Sequence, residues 1–98
     1  MPHSWHVTSI DALTLHRWSA RALVYNDLSG HTHLFDEMTT VAFDQLMAGP
    51  LSEDALARRL AEVIDVPADA RLEAWTHQAI SYMESLGLIE TKPSEGMR

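Results

Sequence analysis

The sequence predicts an α+β domain in which a three-stranded antiparallel sheet is followed by three helices. Three observations carry this. Residues 13–18, Leu-Thr-Leu-His-Arg-Trp, alternate apolar and polar positions with period two. Two further runs, Arg21–Asn26 and His31–Phe35, flank Asn26-Asp27-Leu28-Ser29-Gly30. That stretch is turn chemistry, because Asn and Asp bond their own backbone and Gly30 accepts φ > 0. Beyond residue 36 the period changes, and apolar residues recur at helical spacing in three stretches bounded by caps and breakers.

Each element has its own warrant. Leu23-Val24-Tyr25 is β-branched, apolar and aromatic, which suits the first strand of a hairpin. His31-Thr32-His33-Leu34-Phe35 is the return. Asp36 caps a first helix over Glu37–Ala48, whose apolar stripe is Met38, Val41, Ala42 and Leu46, with Phe43 and Met47 half a face away. Gly49 is expected in the left-handed conformation that closes this helix, and Pro50 keeps it from restarting. Ser52 caps the second helix, Glu53 and Asp54 favour its positive end, and Leu51 can staple onto Leu56. Leu56, Leu60, Val63 and Ile64 form its inner side, and Asp65-Val66-Pro67 breaks it. The third helix starts near Ala68 or Asp69 and ends at Gly87. Leu72, Trp75, Thr76, Ala79, Ile80, Met83 and Leu86 make a stripe broad enough to touch several neighbours. Leu88-Ile89-Glu90 is a short apolar return onto the core. Residues 1–12 read as a weakly patterned N-terminal segment that either packs Trp5, Val7 and Ile10 over the core edge or frays. Residues 13–90 read as the domain and 91–98 as a flexible tail.

Composition limits function. At 98 residues and 46% apolar content the chain supports one domain with one modest core. It contains no cysteine, so disulfides, thiolate metal sites and cysteine nucleophiles are excluded, and a reducing cytoplasm fits. The first twelve residues lack the charged-then-apolar pattern of a signal peptide. No apolar run approaches the roughly 20 residues that span a bilayer, so no membrane partner is expected. Fourteen acids face seven Lys and Arg, a net charge of −7. Nucleic-acid binding draws its affinity from neutralised phosphates, so that partner class is disfavoured. A protein segment carrying basic residues is electrostatically easier.

No catalytic motif is present: no Ser elbow, no GxGxxG, no GxxxxGK[ST]. Asp36-Glu37 and Glu53-Asp54 sit at helix starts, where capping explains them better than acid–base chemistry. His31 and His33 share one face of a strand, yet a transition-metal site needs three or four ligands and no HExxH spacing exists. No cofactor or metal is expected. Trp75, Tyr82, Met83 and Leu86 are core by default. Beside an open sheet edge they would instead line a groove.

The order of these motifs resembles the PqqD family of peptide chaperones, the recognition elements of ribosomally made, modified peptides. The carriers are Leu34-Phe35-Asp36 before the first helix, Leu46-Met47-Ala48-Gly49 at its end, Ser52, Leu56 and Leu60 in the second, and Leu86-Gly87-Leu88-Ile89 after the third. The string Ser29 to Leu34 also resembles a subgroup encoded beside an HPr-kinase-like protein. Leu-Phe-Asp stands where the family more often has Leu-Asn. The resemblance spans roughly residues 13–90. It implies a winged-helix-like domain with its strands first. It also implies a non-catalytic, cytoplasmic function: binding the leader of a precursor peptide by strand addition and presenting it to a modifying enzyme. The site would be His31, Thr32, His33, Leu34 and Phe35, with Trp75, Ala79, Tyr82 and Met83 as the opposite wall. Exposed strand edges also invite pairing of two copies as a homodimer. The competing reading is a winged-helix DNA-binding regulator, whose reading helix would be basic. Here the third helix sets Arg71 against Asp69, Glu73 and Glu84.

Overall fold

The computed structural model describes residues 4–8, 10–19 and 21–92. In order they form β1 (Ser4–Val7), a 3-10 turn (Ile10–Ala12), β2 (Leu13–Trp18), β3 (Arg21–Asn26), β4 (His31–Phe35), α1 (Glu37–Ala48), β5 (Leu51–Ser52), α2 (Glu53–Val63), α3 (Ala70–Ser85) and β6 (Ile89–Lys92). The fold is α+β, with three helices and two three-stranded antiparallel sheets, ordered β2-β3-β4 and β5-β1-β6.

The first sheet is the one the alternation predicts. Its register pairs Leu15 with Val24, Val24 with His33 and Ala22 with Phe35. Ala22, Val24 and Asn26 are buried, while Arg21 and Tyr25 are exposed, so one face is covered and the other meets solvent. The covering element is α1, which contacts β3 and β4. On β2 the Arg17 guanidinium donates two hydrogen bonds to the Asp44 carboxylate of α1, at 3.1 and 2.6 Å. This bond raises the Arg17 pKa. Both side chains are partly exposed, so the bidentate geometry fixes orientation more than it adds stability.

The helix starts obey their caps. The carboxylates of Asp36 and Asp69 accept from the N–H of Thr39 (2.8 Å) and Leu72 (3.1 Å), and Ser52 Oγ accepts from the N–H of Ala55 (3.1 Å). The core joins Val24, Phe35, Phe43, Leu46, Leu56, Leu60, Ile80, Met83, Leu88 and Ile89. Three threonines, Thr39, Thr40 and Thr76, are also buried. Thr40 and Thr76 satisfy their hydroxyls by donating to the carbonyls four residues earlier, Asp36 and Leu72, at 2.7 Å each.

Several expectations need correction. The N-terminal segment packs on the core through Trp5 and Val7 but not through Ile10, and it is no loose overlay: Ser4–Val7 is the central strand of the second sheet, paired with β5 and β6. The order is therefore not strands first and helices after, since β5 lies between α1 and α2 and β6 follows α3. The apolar return at Leu88-Ile89 is buried as expected but continues as a strand to Lys92, past the boundary drawn at residue 90. The expectation of a mobile tail over residues 93–98 lies outside the described residues. Gly49 is not left-handed. It has φ 162 and ψ 164, an extended conformation open to any residue. In α1 the buried positions are Thr39, Thr40, Ala42, Phe43 and Leu46, so Phe43 sits at the centre of the stripe and Met38 and Val41 at its margin. Val63 faces solvent, 51% exposed.

The end of α3 shows why β6 begins where it does. Gly87 takes φ +77, its N–H donates to the Glu84 carbonyl at 2.9 Å, and the Leu88 N–H donates to the Met83 carbonyl at 3.1 Å. This paired closure puts Leu88 against Met83, both fully buried. The chain is thereby turned back towards β1. There Thr8 donates through its hydroxyl to the Gly87 carbonyl (2.8 Å) and through its N–H to the Leu88 carbonyl (3.0 Å).

Candidate functional site

β4 is an edge strand: β3 pairs with it on one side, and its other side has no strand partner among the described residues. An edge strand of five residues leaves alternate N–H and C=O groups open to another chain. Its side chains alternate. His31, His33 and Phe35 share the covered face through their pairing with Asn26, Val24 and Ala22, while Thr32 and Leu34 lie on the open face.

At the C-terminal end of β4 the chain enters α1, and a cleft of about 330 Å³ opens towards α3. Leu34 and Phe35 supply the strand side, and Trp75, Ala79 and Tyr82 the helix side. The spacing of 75, 79 and 82 places these three on one face of α3. Phe35 is 1% exposed and forms the floor, its ring edge-on to Phe43 at 5.4 Å and tilted against Tyr82 at 6.5 Å. Leu34 and Tyr82, 49% and 46% exposed, form the rim.

The cleft thus gathers five of the nine expected site residues: Leu34, Phe35, Trp75, Ala79 and Tyr82. His31, Thr32 and His33 line the strand leading to it, outside the cleft itself. Met83 is a correction. It is fully buried and belongs to the core, where it packs behind the helix face that Ala79 and Tyr82 present. The sequence reading missed Arg21, Asp36, Thr39 and Gln78, which complete the lining. Gln78 was detectable, three residues from Trp75 on the same face. Arg21 was not, because only the sheet register brings the start of β3 beside the end of β4.

The electrostatics of the cleft are a pair of opposite charges on an otherwise mixed surface. Hydrogen bonds from the Thr39 side chain and backbone hold the Asp36 carboxyl below its ordinary value, and Arg21 adds to this. Asp36 is therefore an anion committed to its cap. Arg21 is the cation of the cleft. On β4 the His33 ring is pushed towards neutrality by burial and, secondarily, by His31. Its Nε2 is buried without a hydrogen-bond partner. The two imidazoles stand edge to face, centroids 6.3 Å apart. Among the described residues no group of three or more His, Asp or Glu could hold a metal ion, and no helix is long and apolar enough to cross a membrane.

No family model, no curated protein and no solved structure matches the chain. What the residues define on their own is a small α+β domain with an open strand edge leading into a cleft against a helix.

Proposed function

We propose that this chain is a non-catalytic peptide chaperone of PqqD type, which binds the leader of a precursor peptide and presents it to a modifying enzyme. One observation carries the reading: the free edge of β4 runs into a cleft whose walls are β4 itself and α3. A peptide strand added to that edge satisfies the open backbone groups whatever its sequence. An apolar side chain entering between Leu34, Trp75 and Tyr82 supplies selectivity. In this reading β2, β3 and β4 with the three helices form a winged-helix-like unit whose strand edge serves peptide rather than DNA. The acidic chain favours a peptide over nucleic acid, and a cytoplasmic setting fits the absence of cysteine.

Magnitudes bound what the edge can do. A strand of this length offers two or three outward hydrogen bonds, worth about 1 kcal/mol each net. One buried apolar anchor adds about 1.5–3 kcal/mol. The sum falls short of the roughly 8 kcal/mol of a micromolar complex, before any cost of association.

The test is to select binders from a display library of random peptides and map one of them by chemical-shift perturbation. Shifts should gather on β4 and on Trp75, Ala79 and Tyr82. Shifts centred on Arg58 and Arg59 of α2 would refute strand addition. In a reconstituted pathway the protein should raise turnover of a leader-bearing precursor by its modifying enzyme and leave the leaderless core peptide unaffected. Equal turnover of both would remove the chaperone role.

A further inference from the structure

A second pocket, of about 430 Å³, adjoins the cleft. Met38 at the start of α1, Ile64, Val66 and Pro67 in the α2–α3 connection, and Leu72 and Trp75 on α3 form its walls. Trp75 belongs to both cavities and is the partition between them. The lining is mostly apolar. Val66 is 40% exposed, and its N–H donates to the Ala61 carbonyl at 3.0 Å, which ties the connection to the end of α2. The chain segments that form the pocket are rich in acids: Asp36 and Glu37 precede Met38, Glu62 and Asp65 lie within two residues of Ile64, and Asp69 lies in the lining, while Arg71 is the one cation among the lining residues.

We infer that the peptide does not end at the cleft but crosses Trp75 and seats a second apolar side chain, flanked by Lys or Arg, in this pocket. The inference rests on the peptide-binding reading above and gives it a ligand chemistry. Continuity argues for one ligand over both cavities, since Leu72, Trp75, Ala79 and Tyr82 fall on one face of a single helix. Charge argues for the basic flank, because Asp69 lies in the lining and the segments that form the pocket carry more acids than bases, which favours a cationic neighbour.

The geometry also sets a spacing. From Leu72 to Tyr82 the helix rises about 15 Å, so the two cavities are centred roughly 10–15 Å apart. An extended peptide covers that with about three to five residues. Of these separations only i, i+4 points both side chains to the same side. Antiparallel pairing with β4 is the more stable choice. It places the second-pocket anchor N-terminal to the cleft anchor, with the strand-forming residues following.

The experiment is selection from a display library of random peptides about twelve residues long, enough for both anchors and a β4-length strand. It is run on the wild-type protein and on Val66→Glu, Trp75→Ala and Thr32→Pro, each checked for a native-like circular dichroism spectrum. Wild-type binders should share two apolar residues four apart, with Lys or Arg beside the N-terminal one. Val66→Glu should weaken those binders about tenfold or more, and selection on it should lose the N-terminal apolar anchor while the cleft anchor persists. Trp75→Ala should relax both anchors. Binders with a single apolar anchor, equally tight on wild type and Val66→Glu yet weakened by Thr32→Pro, would overturn the second site and leave the peptide reading standing. Binders indifferent to Thr32→Pro would overturn both.

Discussion

At the residue scale, two glycines that end or follow helices have opposite sensitivities. Gly87 sits at φ +77, where an L side chain crowds its own carbonyl, while Gly49 is extended with no atom within 4 Å of a built Cβ. Gly87→Ala should lower stability by about 1–2 kcal/mol, and Gly49→Ala should move the denaturation midpoint little. Equal effects would mean the closure of α3 is not what the backbone shows. His33 makes the second residue-scale prediction. Its folded pKa lies below the ordinary 6.5 because burial, and then the charge of His31, disfavour the imidazolium. The unfolded chain therefore takes up this proton first as pH falls. The stability linked to His33 is whole above about pH 6.5 and declines as pH drops towards the folded value. Urea midpoints measured across pH 7.5 to 5 should fall less steeply for His33→Leu than for the wild type. Parallel slopes would exclude His33 as the source. The same buried Nε2, which has no partner, is consistent with a ring that stays neutral in the folded state.

At the scale of elements, the helices and the β2–β4 sheet were legible because each carries its own local signal. Leu13–Trp18, Arg21–Asn26 and His31–Phe35 alternate, and the three helices open on Asp36, Ser52 and Asp69. Ser52→Ala should accordingly cost about 1 kcal/mol by chemical denaturation. An unshifted midpoint would place the start of α2 elsewhere. The second sheet was illegible for a physical reason. β5 is two residues long, and β1 and β6 are four each, too short to show a period. β1 meets β5 across more than forty residues, as in Trp5 with Leu51, and β6 across more than eighty, as in Val7 with Ile89. The candidate site was legible where it rests on local pattern, Leu34–Phe35 and the 75-79-82 row. It was misread at Met83, because a broad helical stripe does not reveal which of its rows faces the core. The edge position of β4 gives the element its own test. Thr32→Pro removes one backbone donor from a strand flanked on one side only, so the fold should persist. Affinity for a selected peptide should fall by about 1 kcal/mol or more. Undiminished binding to a folded variant would show that β4 is not the receiving edge.

At the scale of the whole molecule, the two sheets divide the labour. The β2–β4 sheet presents an edge and a cleft. The β5-β1-β6 sheet draws together a segment that precedes every helix, one that separates α1 from α2, and one that follows α3. β1 is its middle strand, and Trp5 pairs with Leu51 on one side and Thr91 on the other. Trp5 also packs against the core while Val7 is buried in it. A proline at Trp5 must therefore remove a ladder hydrogen bond from a strand flanked on both sides, unlike the same change at Thr32. Trp5→Val separates side chain from backbone, since valine keeps the N–H and the strand preference while losing the indole. The expected order of stability is wild type, then Trp5→Val, then Trp5→Pro. The step from valine to proline should be larger than any change caused by Thr32→Pro. Measured by urea denaturation of all four proteins, that ranking would make the N-terminal strand a structural member of the domain. If Trp5→Pro and Trp5→Val instead unfold at the same midpoint, the ladder through β1 contributes nothing. The second sheet would then be held by the burial of Val7, Leu88 and Ile89 alone.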